Sequence, residues 1–255
     1  MKKEPVLKAE HLGITFGGLK AVGDFELEIY EGELVGLIGP NGAGKTTVFN
    51  LLTGVYQPTE GKVYLNGREM NGKKPHQMVQ AGIARTFQNI RLFKQMSVLE
   101  NVKVAFNQNM NYSILGGIFR SPKYWKEERE IEQKAIEILK VFHMEGLADH
   151  EAQNLPYGQQ RKLEIARALA TGCKVLLLDE PAAGMNPTET AELMEAISII
   201  REKFKISILL IEHDMSLVMN VCERIVVIDY GMIIAKGTPA EIANNKKVIG
   251  AYLGE

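Results

Sequence analysis

The residues best suited to chemistry lie in a glycine-rich segment, GPNGAGKTT, at positions 39–47. The segment fits G-x-x-x-x-G-K-[ST], follows the apolar run LVGLI and precedes the helix-compatible VFNLLTG. Gly42 and Gly44 let the backbone curl until successive N–H groups hold phosphate oxygens, and the following helix adds its positive end. The segment therefore predicts a site for the phosphates of a nucleotide; the alternative is a glycine-rich turn with an incidental lysine.

The side chains of this phosphate loop have separate expected tasks. Lys45 reaches the β- and γ-phosphates as a point charge, Thr46 gives its hydroxyl to Mg²⁺, and Thr47 lies near the α-phosphate. The predicted nucleotide-binding residues of the loop are Gly39, Pro40, Asn41, Gly42, Ala43, Gly44, Lys45, Thr46 and Thr47.

A second chemical element is the segment VLLLDEP at 175–181, in which an apolar run ends in two carboxylates. Asp179 is placed where a parallel strand emerges beside a phosphate loop, so it is expected to orient Mg²⁺ through water. Glu180 points differently and is expected to polarise an attacking water. A strand that merely ends in an acidic turn is the alternative, and the phosphate loop upstream argues against it.

The elements that position these groups indicate an α/β fold. Residues 25–29 alternate apolar and acidic side chains, the mark of a half-buried strand. Continuous apolar runs suit strands buried on both faces of a parallel sheet, and helical patterns lie between them. These runs lie at 34–38, 175–179, 206–212 and 225–229.

The middle third of the chain is predicted to be helical. Between residues 124 and 142 one helical stripe is apolar, and the charged side is a solvated face. The stripe comprises Trp125, Ile131, Ala135, Ile138, Leu139 and Phe142. We therefore expect a helical subdomain over 89–158, inserted into the α/β core, with an extended loop near 107–125.

Charge, cysteines and hydropathy exclude several classes of protein. The chain has 255 residues, with 30 Lys and Arg against 31 Asp and Glu, and this balance argues against a nucleic-acid binder. Cys173 and Cys222 have no CxxC neighbour, which disfavours a disulfide scaffold or zinc ribbon and fits a reduced compartment. The longest uncharged stretch, 104–119, has 16 residues, fewer than a spanning helix needs. We expect a soluble protein that reaches a membrane only through a partner.

The segment LPYGQQRKLEIARAL at 155–169 resembles the signature of ABC-transporter ATPases, LSGGQ followed by Q-R and I-A-R-A-L. The other motifs of that family are present in their usual order along the chain, and the resemblance covers residues 6–254. They are Phe16 in the place of the adenine-stacking aromatic, Gln88 of RTFQN as the Q-loop, AAGMN as the D-loop and His213 of IEHDM as the switch histidine.

The resemblance implies a P-loop NTPase fold of the ABC ATPase type: a RecA-like parallel-sheet core, an N-terminal antiparallel β subdomain and an inserted helical subdomain. It implies one ABC ATPase domain over 1–255. Segments 1–88 and 159–255 would form the nucleotide-binding core, and 89–158 the helical subdomain with the start of the signature.

The resemblance also implies a mechanism that uses ATP and Mg²⁺. Two cassettes pack head to tail, and each ATP lies between the phosphate loop of one cassette and the signature of the other. The implied catalytic residues are Lys45, Gln88, Glu180 and His213; the implied metal residues are Thr46, Gln88 and Asp179; and the implied signature contacts are Tyr157, Gly158 and Gln159.

Two motifs, the signature and the D-loop, depart from the family pattern. Pro156 and Tyr157 replace the signature Ser and first Gly, so contact with the γ-phosphate must rest on backbone N–H groups, including that of Gly158. Asn186 replaces the D-loop Asp, and Asn186 to Glu189 also fits a helix N-cap with Pro at N1 and Glu at N3. Two simpler interpretations stay open: Phe16 as a core aromatic and His213 as a structural histidine.

Within the family, the chain looks like the LivG type, the ATPases of branched-chain amino acid importers. This implies two integral membrane permease subunits, a second similar ABC ATPase in a homo- or heterodimer, an extracytoplasmic substrate-binding protein, and a place on the cytoplasmic face of the cell membrane. Nucleic acid is not an expected partner. The alternatives are a urea or amide importer, a lipopolysaccharide exporter, a soluble ABC machine and a non-hydrolysing regulatory cassette.

Overall fold

Two β-sheets and a set of α-helices make up the described residues, 4–109 and 122–253, of this computed structural model. The strands are β1 (Leu7–Phe16), β2 (Leu19–Ile29), β3 (Leu34–Ile38), β4 (Glu60–Leu65), β5 (Arg68–Glu69), β6 (Ile83–Arg85), β7 (Val175–Asp179), β8 (Ser207–Ile211), β9 (Arg224–Asp229) and β10 (Met232–Gly237). The helices are α1 (Lys45–Leu52), α2 (Pro75–Ala81), α3 (Val98–Lys103), α4 (Pro122–Val141), α5 (Tyr157–Ala170), α6 (Pro187–Phe204), α7 (Met215–Val221), α8 (Pro239–Ala243) and α9 (Lys246–Leu253).

The first sheet is antiparallel, in the order β2-β1-β4-β5. In β2, Phe25, Leu27 and Ile29 are buried while Glu26 is exposed, so the alternation predicted for residues 25–29 is confirmed. The alternation exists because successive side chains of a strand point to opposite faces.

The second sheet has the order β10-β9-β3-β8-β7-β6, and its strands are parallel except for β10, which pairs antiparallel with β9 at the edge. Every residue of β3, β7 and β8 is buried. These are the continuous apolar runs of the sequence, and their burial follows because a parallel sheet is covered on both faces. The predicted parallel-sheet core is confirmed.

Packing divides the chain into two compact units. The first comprises Met1–Gln88, Lys174–Pro181 and Arg201–Glu255, and the second comprises Asn89–Cys173 and Ala182–Ile200. The first unit holds both sheets, and buried side chains of both sheets and of α1 share one hydrophobic core. The second unit begins where the helical subdomain 89–158 is predicted to begin but extends beyond it; the predicted subdomain limits stay a prediction.

Helix α4, in the second unit, has the predicted apolar stripe with one exception. Ile131, Ala135, Ile138 and Leu139 are buried, whereas Trp125 is 46% exposed and stacks edge-on against Tyr124, 5.4 Å between ring centroids. Trp125 lies in the first turn of the helix, before the buried part of the stripe begins.

The extended loop predicted near 107–125 lies mainly outside the described residues, since 110–121 are not described. Its flanks are a 3₁₀ turn, Val104–Asn109, and the start of α4. Among the helices of the described ranges, none combines the length and the apolar character that crossing a membrane requires.

Candidate nucleotide site

The phosphate loop joins the end of β3 to the start of α1, in the first unit. Gly39 has φ +154°, and a Cβ there would lie 2.0 Å from the carbonyl oxygen of Ile228, so this position accepts only glycine. Gly44 caps α1 in the left-handed conformation, with φ +103°. The first backbone N–H groups of α1 have no acceptor within the helix and carry its positive end, which makes the loop a cradle for an anion.

Lys45 folds back onto the loop that carries it. Its Nζ donates hydrogen bonds to the carbonyl oxygens of Gly39, at 2.7 Å, and Pro40, at 2.9 Å, and only 6% of the residue is exposed. Burial lowers the pKa of the Lys45 ammonium below its ordinary value, while the nearby charges of Glu180 and Asp179 oppose that shift. The buried Lys45 ammonium thus lies beside the backbone N–H groups of the loop and of the first turn of α1.

Glu180 lies between two side chains at the mouth of the loop. His213 Nε2 is 2.5 Å from its Oε1, and Gln88 Nε2 donates to its Oε2 at 3.3 Å. These three residues, which we call the carboxylate cluster, line one depression of about 420 Å³ together with residues 41–47 of the phosphate loop. The structure therefore brings together Lys45 and the other three side chains that the resemblance marks as catalytic.

The backbone of Glu180 is strained. Its φ is +49°, in the left-handed region that favours glycine, and its N–H donates to the carbonyl oxygen of Ile211 at 2.9 Å. A non-glycine residue held there costs about 1–3 kcal/mol, and such residues concentrate at functional sites. The turn directs the Glu180 side chain to the depression, whereas the preceding Asp179 stays on the strand.

Asp179 is 4% exposed at the end of β7 and has a buried cationic partner. Its Oδ2 accepts a hydrogen bond of 2.6 Å from Nη2 of Arg85, while Nη1 of the same guanidinium donates to Oδ1 of Asn50 on α1, also at 2.6 Å. The backbone N–H of Asp179 donates to Thr86 Oγ1 at 3.4 Å. A buried carboxylate needs such a partner, because an unpaired buried charge is strongly destabilising.

Phe16 ends β1 and is 44% exposed, so it is not a core aromatic. Its ring meets that of Tyr56 edge to face, with centroids 5.2 Å apart. The exposed ring leaves a face for a planar ligand, and its predicted stacking on a base stays a prediction.

The signature residues lie in the second unit, at the start of α5. Tyr157 is exposed, Gly158 is buried and Gln159 is half-buried. A Cβ on Gly158 would lie 2.8 Å from Oε1 of Glu189, so the Glu189 carboxylate would have to shift to make room for a larger residue. Asn186 caps α6: its Oδ1 accepts from the N–H of Glu189 at 2.9 Å, and its own N–H donates to Glu189 Oε2 at 3.0 Å, so the predicted N-cap is confirmed.

Comparison with known proteins decides the family. The family described as "ABC transporter" matches residues 22–183, and the family described as "Branched-chain amino acid ATP-binding cassette transporter" matches residues 232–255. The chain belongs to the ABC transporter ATP-binding family. The cassette is accordingly an ATPase that powers transport, and the predicted ABC ATPase fold is confirmed.

Individual relatives agree with this assignment over nearly the whole cassette. It is 48% identical to the high-affinity branched-chain amino acid transport ATP-binding protein BraF of Pseudomonas aeruginosa, over 98% of both chains. It is 48% identical to LivG of Salmonella typhimurium, which has the same description, over 99% of both chains. Among solved structures, the ADP conformation of MJ1267, an ATP-binding cassette of an ABC transporter, is 33% identical, with a TM-score of 0.85 over 99% of this chain and 100% of that chain.

Sequence reasoning missed the clamp that Arg85 forms between Asn50 and Asp179. The signal was present: Arg85 ends the short strand β6, three residues before Gln88, and a guanidinium on a buried strand requires a partner. The motif RTFQN drew attention to Gln88 alone, because the family pattern gives a role to that residue.

Proposed function

We propose that the cassette is the ATP-hydrolysing subunit of an importer of branched-chain amino acids and that it works at the cytoplasmic face of the cell membrane. The observation that carries the hydrolytic part is the carboxylate cluster, which lies on the same depression as the phosphate loop. The substrate rests on the relatives, which are described as ATP-binding proteins of branched-chain amino acid transport.

The residues at the loop fit ATP and Mg²⁺. Glycines with positive φ open the cradle, and the depression falls within the range of small-ligand sites, roughly 300–1,000 Å³. The hydroxyl of Thr46, the carboxylate of Asp179 and the amide oxygen of Gln88 are the hard oxygen donors that Mg²⁺ prefers. Bound there, the ion would neutralise charge on the β- and γ-phosphates.

In this account each catalytic side chain acts on the γ-phosphate or the attacking water. Glu180 orients the water and accepts its proton, His213 contacts the γ-phosphate, and Lys45 exchanges its two carbonyl acceptors for phosphate oxygens. Before turnover, the 2.5 Å contact holds Glu180 on His213 and keeps both side chains at the mouth of the depression. The products are ADP and inorganic phosphate.

Tyr157, Gly158 and Gln159 would act on the nucleotide of a second cassette, either a copy of this chain or a similar ATPase. The residues that line the depression all belong to the first unit, so the signature is left to serve a partner's site. Tyr157 is exposed and is the first residue of α5. The backbone N–H groups at this end of the helix are suited to contact a phosphate.

The segment after the Q-loop is the proposed contact surface for the permease subunits. The Phe93 side chain is 49% exposed and lies under the Arg167 guanidinium, 5.4 Å from the ring centroid. Buried Asn101 accepts from the Phe93 N–H at 2.9 Å, and Glu164 of α5 accepts from the Arg91 N–H at 3.1 Å. The segment is thereby fastened to the signature helix, so that movement of one displaces the other. The substrate-binding protein would act indirectly, through the permease.

Trapping the dimer tests the catalytic part of the proposal. Glu180→Gln keeps the size and shape of the side chain but replaces the carboxylate with an amide that cannot act as a base, so it should bind ATP, hydrolyse it at least 100-fold more slowly and elute as a dimer in Mg²⁺ and ATP. The wild-type cassette under the same conditions is the control. Hydrolysis at the wild-type rate by this variant would refute the role of Glu180.

Affinity capture from detergent-solubilised membranes tests the permease contact. The wild-type cassette should retain integral membrane subunits, and Phe93→Ser should lose them while still binding nucleotide. Equal retention by both forms would refute the proposed surface.

A further inference from the structure

Arg85 joins three elements at the foot of the phosphate loop. It ends β6, its Nη1 donates to Asn50 in the last part of α1, and its Nη2 donates to Asp179 at the end of β7. Its side chain is 8% exposed and that of Asp179 is 6% exposed, so this ion pair is shielded from water. Exclusion of water strengthens the hydrogen bond between Arg85 and Asp179, and the rigid, planar guanidinium fixes its direction.

Aromatic rings hold the guanidinium in place. Its central carbon lies 5.3 Å from the ring centroid of Phe49 and 5.3 Å from that of Phe87. Phe49 is fully buried on α1, and Phe87 directly precedes Gln88. Arg85 therefore has little freedom to leave Asp179, and any displacement of the Q-loop backbone beside it acts on the same guanidinium.

The contact occupies one of the two carboxylate oxygens of Asp179. Oδ2 accepts from Arg85, and this leaves Oδ1 as the oxygen available to a metal-bound water. Side chains that orient a metal ligand in this way are ordinarily worth 10- to 100-fold in metal affinity.

We infer that Arg85 is a positioning residue for the metal site: with Asn50 as its second anchor, it fixes the Asp179 carboxylate so that one oxygen faces the magnesium of the bound nucleotide. The inference rests on the magnesium role proposed for Asp179. It concerns the orientation of the carboxylate rather than its charge, because a positive charge alone beside Asp179 would weaken cation binding.

The test is the affinity of the full-length cassette for Mn²⁺ in the presence of saturating AMP-PNP, a nucleotide that is not turned over. Free Mn²⁺ is followed by its electron paramagnetic resonance signal. Arg85→Met removes the charge but keeps an apolar chain between the two rings. Arg85→Lys keeps the charge but cannot reach Asn50 and Asp179 at once. Both should weaken Mn²⁺ binding by about 10-fold or more.

Arg224→Met is the matched control, because it removes a second, partly buried arginine–carboxylate pair of the first unit, with Glu33 at 2.8 Å, away from the loop. It should leave Mn²⁺ affinity unchanged. AMP-PNP affinity in EDTA and the thermal unfolding temperature are recorded for every variant. A merely structural brace would lower the unfolding temperature and leave Mn²⁺ affinity as in the wild type.

The outcomes separate this inference from the proposed function. Mn²⁺ binding as tight as wild type in Arg85→Lys or Arg85→Met overturns the positioning role, provided that Asp179→Asn weakens it. If Asp179→Asn also binds Mn²⁺ like the wild type, the metal role of Asp179 is itself wrong. Should Arg85→Met fail to fold because Asp179 is left unpaired, Arg85→Lys and Asn50→Ala decide the question, and both must weaken Mn²⁺ binding.

Discussion

At position 180, the glycine variant should be more stable to unfolding than the alanine variant. At an ordinary helical position the order is the opposite. Both variants lose the carboxylate and with it the contacts to His213 and Gln88. They differ in how well each residue tolerates a φ of +49° and in the freedom of the unfolded chain, and the second difference also operates at an ordinary position. Comparing this difference with the alanine–glycine difference at an ordinary helical position isolates the backbone strain at the proposed base.

The magnitude follows from two opposing terms. An L-residue in the left-handed region costs about 1–2 kcal/mol that glycine does not incur. Glycine loses about 0.5–1 kcal/mol relative to alanine through the greater freedom of its unfolded chain. Glu180→Gly should therefore be more stable than Glu180→Ala by roughly 0.5–1 kcal/mol, which in a chain of this size corresponds to about 1–4 °C in unfolding temperature.

Urea unfolding of the nucleotide-free cassette, followed by circular dichroism, measures the difference. Glu195, exposed within α6, provides the control pair, and there alanine should be the more stable by about 0.5–1 kcal/mol. ATP hydrolysis should fall by about 10²–10⁴-fold in both Glu180 variants and stay at the wild-type rate in both Glu195 variants. Greater stability of Glu180→Ala than of Glu180→Gly would refute the strained turn.

Three further predictions concern the loop, a helix cap and the cysteines. Lys45→Met should weaken ATP binding by roughly 10- to 150-fold, the value of one hydrogen bond to a charged group, and a fluorescent-nucleotide titration measures it; unchanged affinity would contradict the phosphate loop. Asn186→Ala should cost about 1 kcal/mol in urea unfolding, whereas Thr188→Ala, exposed on the same turn, should cost less than about 0.5 kcal/mol; equal costs would argue against the cap. Burial raises the pKa of both Cys173 and Cys222 to about 12, so at pH 8 roughly one thiol in 10,000 is ionised, and neither should react with Ellman's reagent before the protein unfolds. Rapid labelling of the native protein would contradict their burial.

The parallel strands and the phosphate loop could be predicted because each depends on a local pattern. A short, continuous apolar run such as VLLLD is typical of a strand that is buried on both faces of a parallel sheet. The segment GPNGAGKTT predicts a phosphate loop because its glycines allow the backbone conformations that such a loop needs. The N-cap at Asn186 was equally local, since the cap and its N3 glutamate are three residues apart.

What could not be predicted depends on contacts between distant segments. The Arg85 clamp joins residues 35 and 94 positions away in the chain, and no periodicity reports it. The left-handed turn at Glu180 is held by a hydrogen bond to Ile211 on a neighbouring strand. Glutamate rarely adopts a positive φ, so its presence in the sequence does not predict such a turn. Trp125 was assigned to the buried stripe because its spacing fits, but spacing does not show where along a helix the packing begins.

The measurement that tests the central claim most directly is substrate-stimulated ATP hydrolysis in vesicles. The cassette would be reconstituted with its permease subunits and its partner ATPase. The vesicles would then be challenged with leucine, isoleucine, valine or urea, each with its substrate-binding protein. We expect stimulation by a branched-chain amino acid and none by urea, with Glu180→Gln inactive throughout. Stimulation by urea alone, or basal hydrolysis that no amino acid raises, would contradict the proposed function.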